Sequence, residues 1–257
     1  SIRRQRQMCI RDSGMTVAQQ IENRVNLIGD GTVFSIEDLG LPAEWWENIR
    51  VKLSRMVGKG LIQKLSKGRF YKPKKSVFGT LKPNLQEIVK DLIYDKDGRP
   101  IGYLTGYSIW NDMALTTQVA SVIMLGTNKR HNATKRGMYS IRFVHQPNAI
   151  TKDNIYLLQI LDTIRFIKKI PDTEIVRSIA ALKSSIGQLQ ENEIKRIIRL
   201  SDKYQPRVKA ILGAVLDDLG YGSHTLVLRA ALNPGTKYKI GLGNTTELLN
   251  KDKWNIE

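Results

Sequence analysis

Thirty-nine positions lie between Glu47 and Glu87, and none of them is acidic; eleven are Lys or Arg (50, 52, 55, 59, 64, 67, 69, 72, 74, 75 and 82). A solvated protein face normally mixes both signs, whereas an unbroken run of one sign is the footprint of a surface that meets a polyanion. The spacing sorts these side chains. At 100° per residue, "PAEWWENIRVKLSRMVGKG" puts Trp46, Ile49, Leu53 and Val57 on one helix face and Asn48, Lys52, Arg55 and Lys59 on the opposite one. Arg and Lys pair with guanine edges and Asn with adenine edges in a major groove, so this face has the chemistry of base reading. Arg50 lies on the same helix. Lys64, Lys67 and Arg69 flank "SKG", and Lys72, Lys74 and Lys75 follow. These suit phosphate contacts, which fix position without specifying sequence.

A second acid-free window runs from Met113 to Lys152 and carries Lys129, Arg130, Lys135 and Arg136 in "GTNKRHNATKRG". It is expected to form a basic loop between two strands and a second nucleic-acid patch. Other chemistry is poorly provided for. His131, His145 and His224 lack the spacing of a metal-ligand motif, and "DKDGRP" has only the opening of a calcium loop. "GLGNTT" lacks the Lys of a phosphate loop, and Cys9 is the sole cysteine. Neither a catalytic residue, a metal site nor a cofactor is expected.

The formal charge of +17 over 257 residues makes nucleic acid the first partner to consider and an anionic membrane surface the second. No apolar run reaches the length of a membrane span, so a cytoplasmic protein without membrane contact is expected. "SIRRQRQMCIRDS" has neither helical nor strand periodicity, and residues 1–14 read as a non-native or disordered leader, with Met15 as the start. Without residues 1–13 the charge is +14.

The elements that must position the basic residues follow from residue 15 onward. Val17, Ile21, Val25 and Ile28 mark one helix; "TVFS" is a short strand, and "SIEDLG" a short helix. The longer basic helix and the arms of a hairpin around Ser66-Lys67-Gly68 complete the set. That order is a winged helix-turn-helix over residues 15–75, with Lys72–Asn84 as a linker. Residues 76–257 are expected to form a second domain: a mixed α/β core over 84–170, a helical region over 172–220 and a terminal β hairpin over 223–242. The fold class is α+β.

"GTVFSIEDL", "VKLSRMVGKGLIQKLSKGRFYKP", "GYLTGYSIWNDMALTTQ", "VIMLGTNKR" and "PRVKAILGAVLDDLG", in this order, resemble the AbiEi-type antitoxins of bacterial type IV toxin–antitoxin systems. The resemblance covers residues 16–220 and is carried most by the third stretch. It implies a repressor that binds inverted repeats in its own promoter and neutralises a nucleotidyltransferase-like toxin without needing a stable complex. It also implies operator contacts from Lys52, Arg55, Lys67 and Arg69, and from Lys129, Arg130, Lys135 and Arg136. After residue 172 the match weakens. The alternative is a transcription regulator whose second domain senses a ligand.

Overall fold

The computed structural model describes residues 14–257, so the leader expected over residues 1–14 lies, except for Gly14, outside the described residues. The chain is α+β and divides into two compact units, one ending at Val89 and the other running Lys90–Glu257.

In the first unit, α1 (Val17–Asn26) opens on a reciprocal cap. The Thr16 side chain accepts from the Gln19 N–H, and the Gln19 side chain accepts from the Thr16 N–H. β1 (Val33–Phe34) and two 3-10 turns (Glu37–Leu39 and Ala43–Trp45) lead into α2 (Trp46–Gly58). A hairpin of β2 (Gln63–Ser66) and β3 (Arg69–Tyr71) follows. β3 is central in the antiparallel order β1-β3-β2. Gly68, at φ 73°, supplies the left-handed turn that the hairpin needs. Ile21 and Val25 of α1 meet Ile49, Leu53 and Met56 of α2, with Phe34, Leu39 and Ile62 closing the core. These elements occur in the order read from the sequence.

Lys72–Asn84 is not an open linker. β4 (Lys74–Ser76) and β5 (Gly79–Leu81) pair as a two-stranded hairpin with Val77 and Phe78 at its tip. Nor does the first unit end at residue 75: the Glu87 carboxylate accepts from the Val33 N–H at 3.0 Å, tying the start of α3 (Leu85–Ile93) to β1.

The second unit holds the sheet β6-β7-β9-β8, from β6 (Gly102–Thr105), β7 (Val122–Thr127), β8 (Thr134–Arg136) and β9 (Tyr139–His145). β7 and β9 are parallel, in register from Val122↔Ser140 to Thr127↔His145. A short helix, α4 (Tyr107–Asp112), follows β6. The helical region comprises α5 (Lys152–Arg165), α6 (Ile175–Gly187), α7 (Glu191–Ser201) and α8 (Pro206–Asp218). α5 and α8 bury side chains around most of their circumference, as helices inside a core do.

Two expectations fail here. The stretch 126–137 is not simply a loop, because β8 pairs along the edge of β9. Residues 223–242 form no hairpin. Gly222–His224 is a 3-10 turn and α9 (Leu226–Ala230) a short helix. "NPGT" does turn, with the Thr236 N–H on the Asn233 carbonyl at 3.1 Å, but no strands flank it. Instead Tyr238 bridges to Ile256, and the Trp254 ring packs closely on α8 over Gly213.

Candidate nucleic-acid interface

α2 owes its orientation to its apolar stripe. Ile49, Leu53 and Met56 are buried, which leaves two different polar faces on either side. One face, Trp46–Arg50–Ser54–Val57, lines a groove of about 450 Å³ together with Lys64, Lys67, Gly68 and Phe70 of the β2–β3 hairpin. Arg50, Lys64 and Lys67 are therefore brought together across a helix–hairpin groove. Arg50 also reaches Glu47 at 3.1 Å, an exposed pair of the kind that contributes little and exchanges readily with water or a ligand. Glu37 and Ile36 also line the groove.

The other face turns towards α1. Lys52 Nζ donates to Glu22 at 2.8 Å. The Lys52 hydrogen bond and charge, with a smaller contribution from Lys59, hold the Glu22 carboxyl below its ordinary value. Asn48, Arg55 and Lys59 are exposed. The face read from the sequence as opposite the core is thus partly committed to the neighbouring helix at Lys52. Lys72 is committed as well: its Nζ donates to the Asn26 and Ile28 carbonyls, both at 3.1 Å, and caps the C-terminal end of α1. Arg69 is half-buried on β3, whereas Lys74 and Lys75 are exposed on β4. Trp45 and Trp46 pack against the core.

The second basic stretch divides more sharply. Lys129, Arg130 and Lys135 are exposed, but Arg136 is not part of any surface patch. It is 7% exposed and makes a bidentate pair with Asp91, with Nη2 on Oδ2 at 2.6 Å. A strand position on β8 turns it inward, which the reading of this stretch as a loop concealed.

Arg130 leads to a feature that sequence reasoning missed. It lines a cleft of about 310 Å³ with His145, Gln146, Arg165, Lys203 and Tyr204. Beneath the cleft lies a closed polar network. Tyr103 and Thr105 donate to Asp162 Oδ2 at 2.7 and 2.9 Å, and Tyr204 donates to Oδ1 at 2.7 Å. Gln146 Nε2 donates to both tyrosine hydroxyls at 2.9 and 2.8 Å, while its Oε1 accepts from the Asn148 N–H. Burial pushes the Asp162 carboxyl above its ordinary value, opposed by the hydroxyl hydrogen bonds from Tyr103, Tyr204 and Thr105. Burial and the Asp162 charge push both tyrosines up, so they stay protonated donors. The signal in the sequence was one acid inside the apolar run "YLLQILDTIRF".

Among the described residues no three His, Cys, Asp or Glu side chains group to hold a metal ion, and no helix is long and apolar enough to cross a membrane. The model of a family of unknown function, DUF6088, matches residues 20–207. The chain belongs to this family. No curated protein matches the DUF6088 chain. It is similar to the crystal structure of the RV2827C protein from Mycobacterium tuberculosis, at 12% sequence identity and a TM-score of 0.57. The likeness covers 92% of this chain and 88% of that one. At that identity it is a likeness of fold, and its coverage reaches into both units of the DUF6088 chain.

Proposed function

We propose that this DUF6088 chain is a DNA-binding antitoxin that represses its own promoter and opposes a nucleotidyltransferase-like toxin. In this reading the first unit is a winged helix-turn-helix, with α2 as the recognition helix and β2–β3 as the wing. The observation that carries it is the groove in which Arg50 and Ser54 of α2 face Lys64 and Lys67 of the hairpin. An α-helix fits a B-DNA major groove, and a flanking basic hairpin reaches the neighbouring phosphates. Arg55, Asn48 and Lys59 extend the helix surface, while Lys74 and Lys75 extend the phosphate contacts. The resemblance to AbiEi-type antitoxins supplies the partner and the inverted-repeat operator.

The test is a gel-shift titration of the chain on the DNA upstream of its own gene, at two salt concentrations, with random duplex as competitor. A shift that survives competitor and weakens with salt is expected. Binding abolished by competitor would reduce the basic groove to a general polyanion surface. The antitoxin part is tested by co-expression with the neighbouring gene, which is expected to encode a nucleotidyltransferase-like protein toxic on its own. The second reading, a regulator with a ligand-sensing unit, draws on the cleft at Arg130, Arg165 and Lys203.

A further inference from the structure

β7 and β9 are adjacent and parallel, so both release the chain at the same edge of the sheet. In open sheets, ligands bind in the crevice outside the carboxyl ends of such strands. Here the chain leaving β7 delivers Lys129 and Arg130, and the chain leaving β9 delivers His145 and Gln146. The C-terminal end of α5 adds Arg165. The turn before α8 adds Lys203, Tyr204 and the N-cap Gln205, so the positive end of a 13-residue helix opens on the same cleft.

The cleft carries a surplus of positive charge, in which Arg165 is coupled electrostatically to the buried Asp162 carboxyl. No acid lines it. Ion pairs hold Arg136, Lys183 and Lys209 elsewhere in the unit, but none holds Arg130, Arg165 or Lys203 among the described residues. Lys203 Nζ donates to the Pro147 carbonyl at 3.3 Å, and the Arg165 guanidinium lies 5.1 Å from the Phe166 ring. The nearby acid, Asp162, is wholly buried, and both its oxygens are taken by hydroxyl donors. Cations that outnumber the acids around one cleft repel one another, and an anion bound among them reduces that cost.

The floor is also built in advance. Gln146 and Tyr204 are 1% and 8% exposed, and the network described above fixes both, so little ordering remains for a ligand to impose. Two guanidinium forks and an ammonium are donors that suit phosphate, and the positive end of α8 lies beside them. A second cleft of about 410 Å³ shares Arg130 and His145 and is lined beyond them by His131, Asn132 and Phe143, the His131 and Phe143 rings lying 4.7 Å apart.

We propose that the cleft at the carboxyl ends of β7 and β9 binds the phosphate of a nucleotide, with Arg130, Arg165 and Lys203 as its cationic ligands and the nucleoside in the adjoining cleft. The phosphate belongs to a free mononucleotide or to the end of a nucleic-acid strand; the chemistry is the same for both. This site stands apart from the duplex-binding reading of the first unit.

The test is isothermal titration of the full chain with inorganic phosphate, adenosine 5′-monophosphate, adenosine, and a short single strand with or without a 5′-phosphate. Arg165→Gln and Lys203→Gln are compared with the wild type and with Lys96→Gln, an exposed single-charge control that lines neither cleft. The monophosphate is expected to bind at least tenfold tighter than inorganic phosphate, and adenosine not at all. Arg165→Gln and Lys203→Gln each weaken binding at least tenfold, while Lys96→Gln leaves it unchanged. If only the 5′-phosphorylated strand binds, with the same dependence on Arg165 and Lys203, its source is a strand end and the phosphate site stands. The proposal is overturned if no phosphate-bearing probe binds, or if all three variants weaken binding equally. Should either cleft variant fail to fold, the wild-type melting temperature still decides. It rises with adenosine 5′-monophosphate but not with the same concentration of adenosine, at matched ionic strength, if the site exists, and responds alike to both otherwise. Duplex gel shifts on the same variants keep failure here distinguishable from failure of the DNA-binding reading.

Discussion

Arg50 and Arg55 stand five positions apart on α2 and therefore look in different directions, about 140° apart around the axis. The residue pattern favoured Arg55, opposite the core; the fold sets Arg50 in the helix–hairpin groove. A bidentate arginine–guanine contact discriminates by about 1–3 kcal/mol. Arg50→Gln is accordingly expected to reduce the preference for the upstream duplex over random duplex by roughly tenfold or more. Lys74→Gln should weaken both complexes alike and reduce the salt slope by about 1. Competition gel shifts at several salt concentrations measure both effects. In the second unit, Asp162 makes a prediction about pH. Its folded value is raised, chiefly by burial, so the fold favours the protonated acid. That contribution is full below the unfolded value of about 3.9 and is lost as pH rises through the folded value. Asp162→Asn removes the titration. The melting temperature of the variant minus that of the wild type should therefore grow more positive between pH 4 and pH 7. A pH-independent difference would show that the hydroxyl donors offset burial completely.

At the scale of elements, the close fit of Trp254 on α8 is the sharpest test of packing. A Cβ on Gly213 would lie 2.3 Å from the Trp254 ring, whose indole N–H also donates to Asp217 at 2.8 Å. Gly213→Ala gains helix propensity, but the overpacking costs about 1–3 kcal/mol, so net destabilisation is expected in urea unfolding. This element also marks where the sequence stopped being legible. α5 to α8 announce themselves as apolar-rich runs of helical length with punctuation at their ends, such as Pro206 at the start of α8. The first unit is legible for the same reason, with Gly60 and Gly68 punctuating a strict order. The terminal segment misled because "TLVLRAAL" has β-prone residues and "NPGT" is a real turn; tertiary packing on α8 decided otherwise. β4–β5 escaped notice because Lys-rich, Pro-flanked sequence suits a linker as well as a short hairpin. Of the basic residues, exposure was readable for Lys64, Lys67, Arg130 and others, but pairing was not. Lys52 with Glu22 and Arg136 with Asp91 are contacts across 30 and 45 positions, which no local pattern encodes.

At the scale of the whole molecule, each unit has its own main core among the described residues, one built on Ile49 and Leu53 and one on α5 and α8. Leu53 is fully buried, and Leu53→Ala should cost about 2–5 kcal/mol, confined to the first unit. Calorimetry is expected to show the transition of that unit moving down while that of the second stays in place. A single transition shifting as one would mean that the cores unfold cooperatively. Between these cores in the chain comes the β4–β5 hairpin, its tip residues Val77 and Phe78 94% and 97% exposed and both its strands only three residues long. A brief hairpin with bare aromatic and aliphatic side chains at its end is an accessible substrate for a protease that cuts after large apolar residues. Limited chymotrypsin should nick after Phe78 before anything else, parting the chain beyond β3 and just ahead of α3. The cut falls inside the first unit and leaves Glu87, which holds the Val33 N–H, on the far side of the nick, so a gel shift of the nicked chain asks whether the groove still binds duplex once that link is non-covalent.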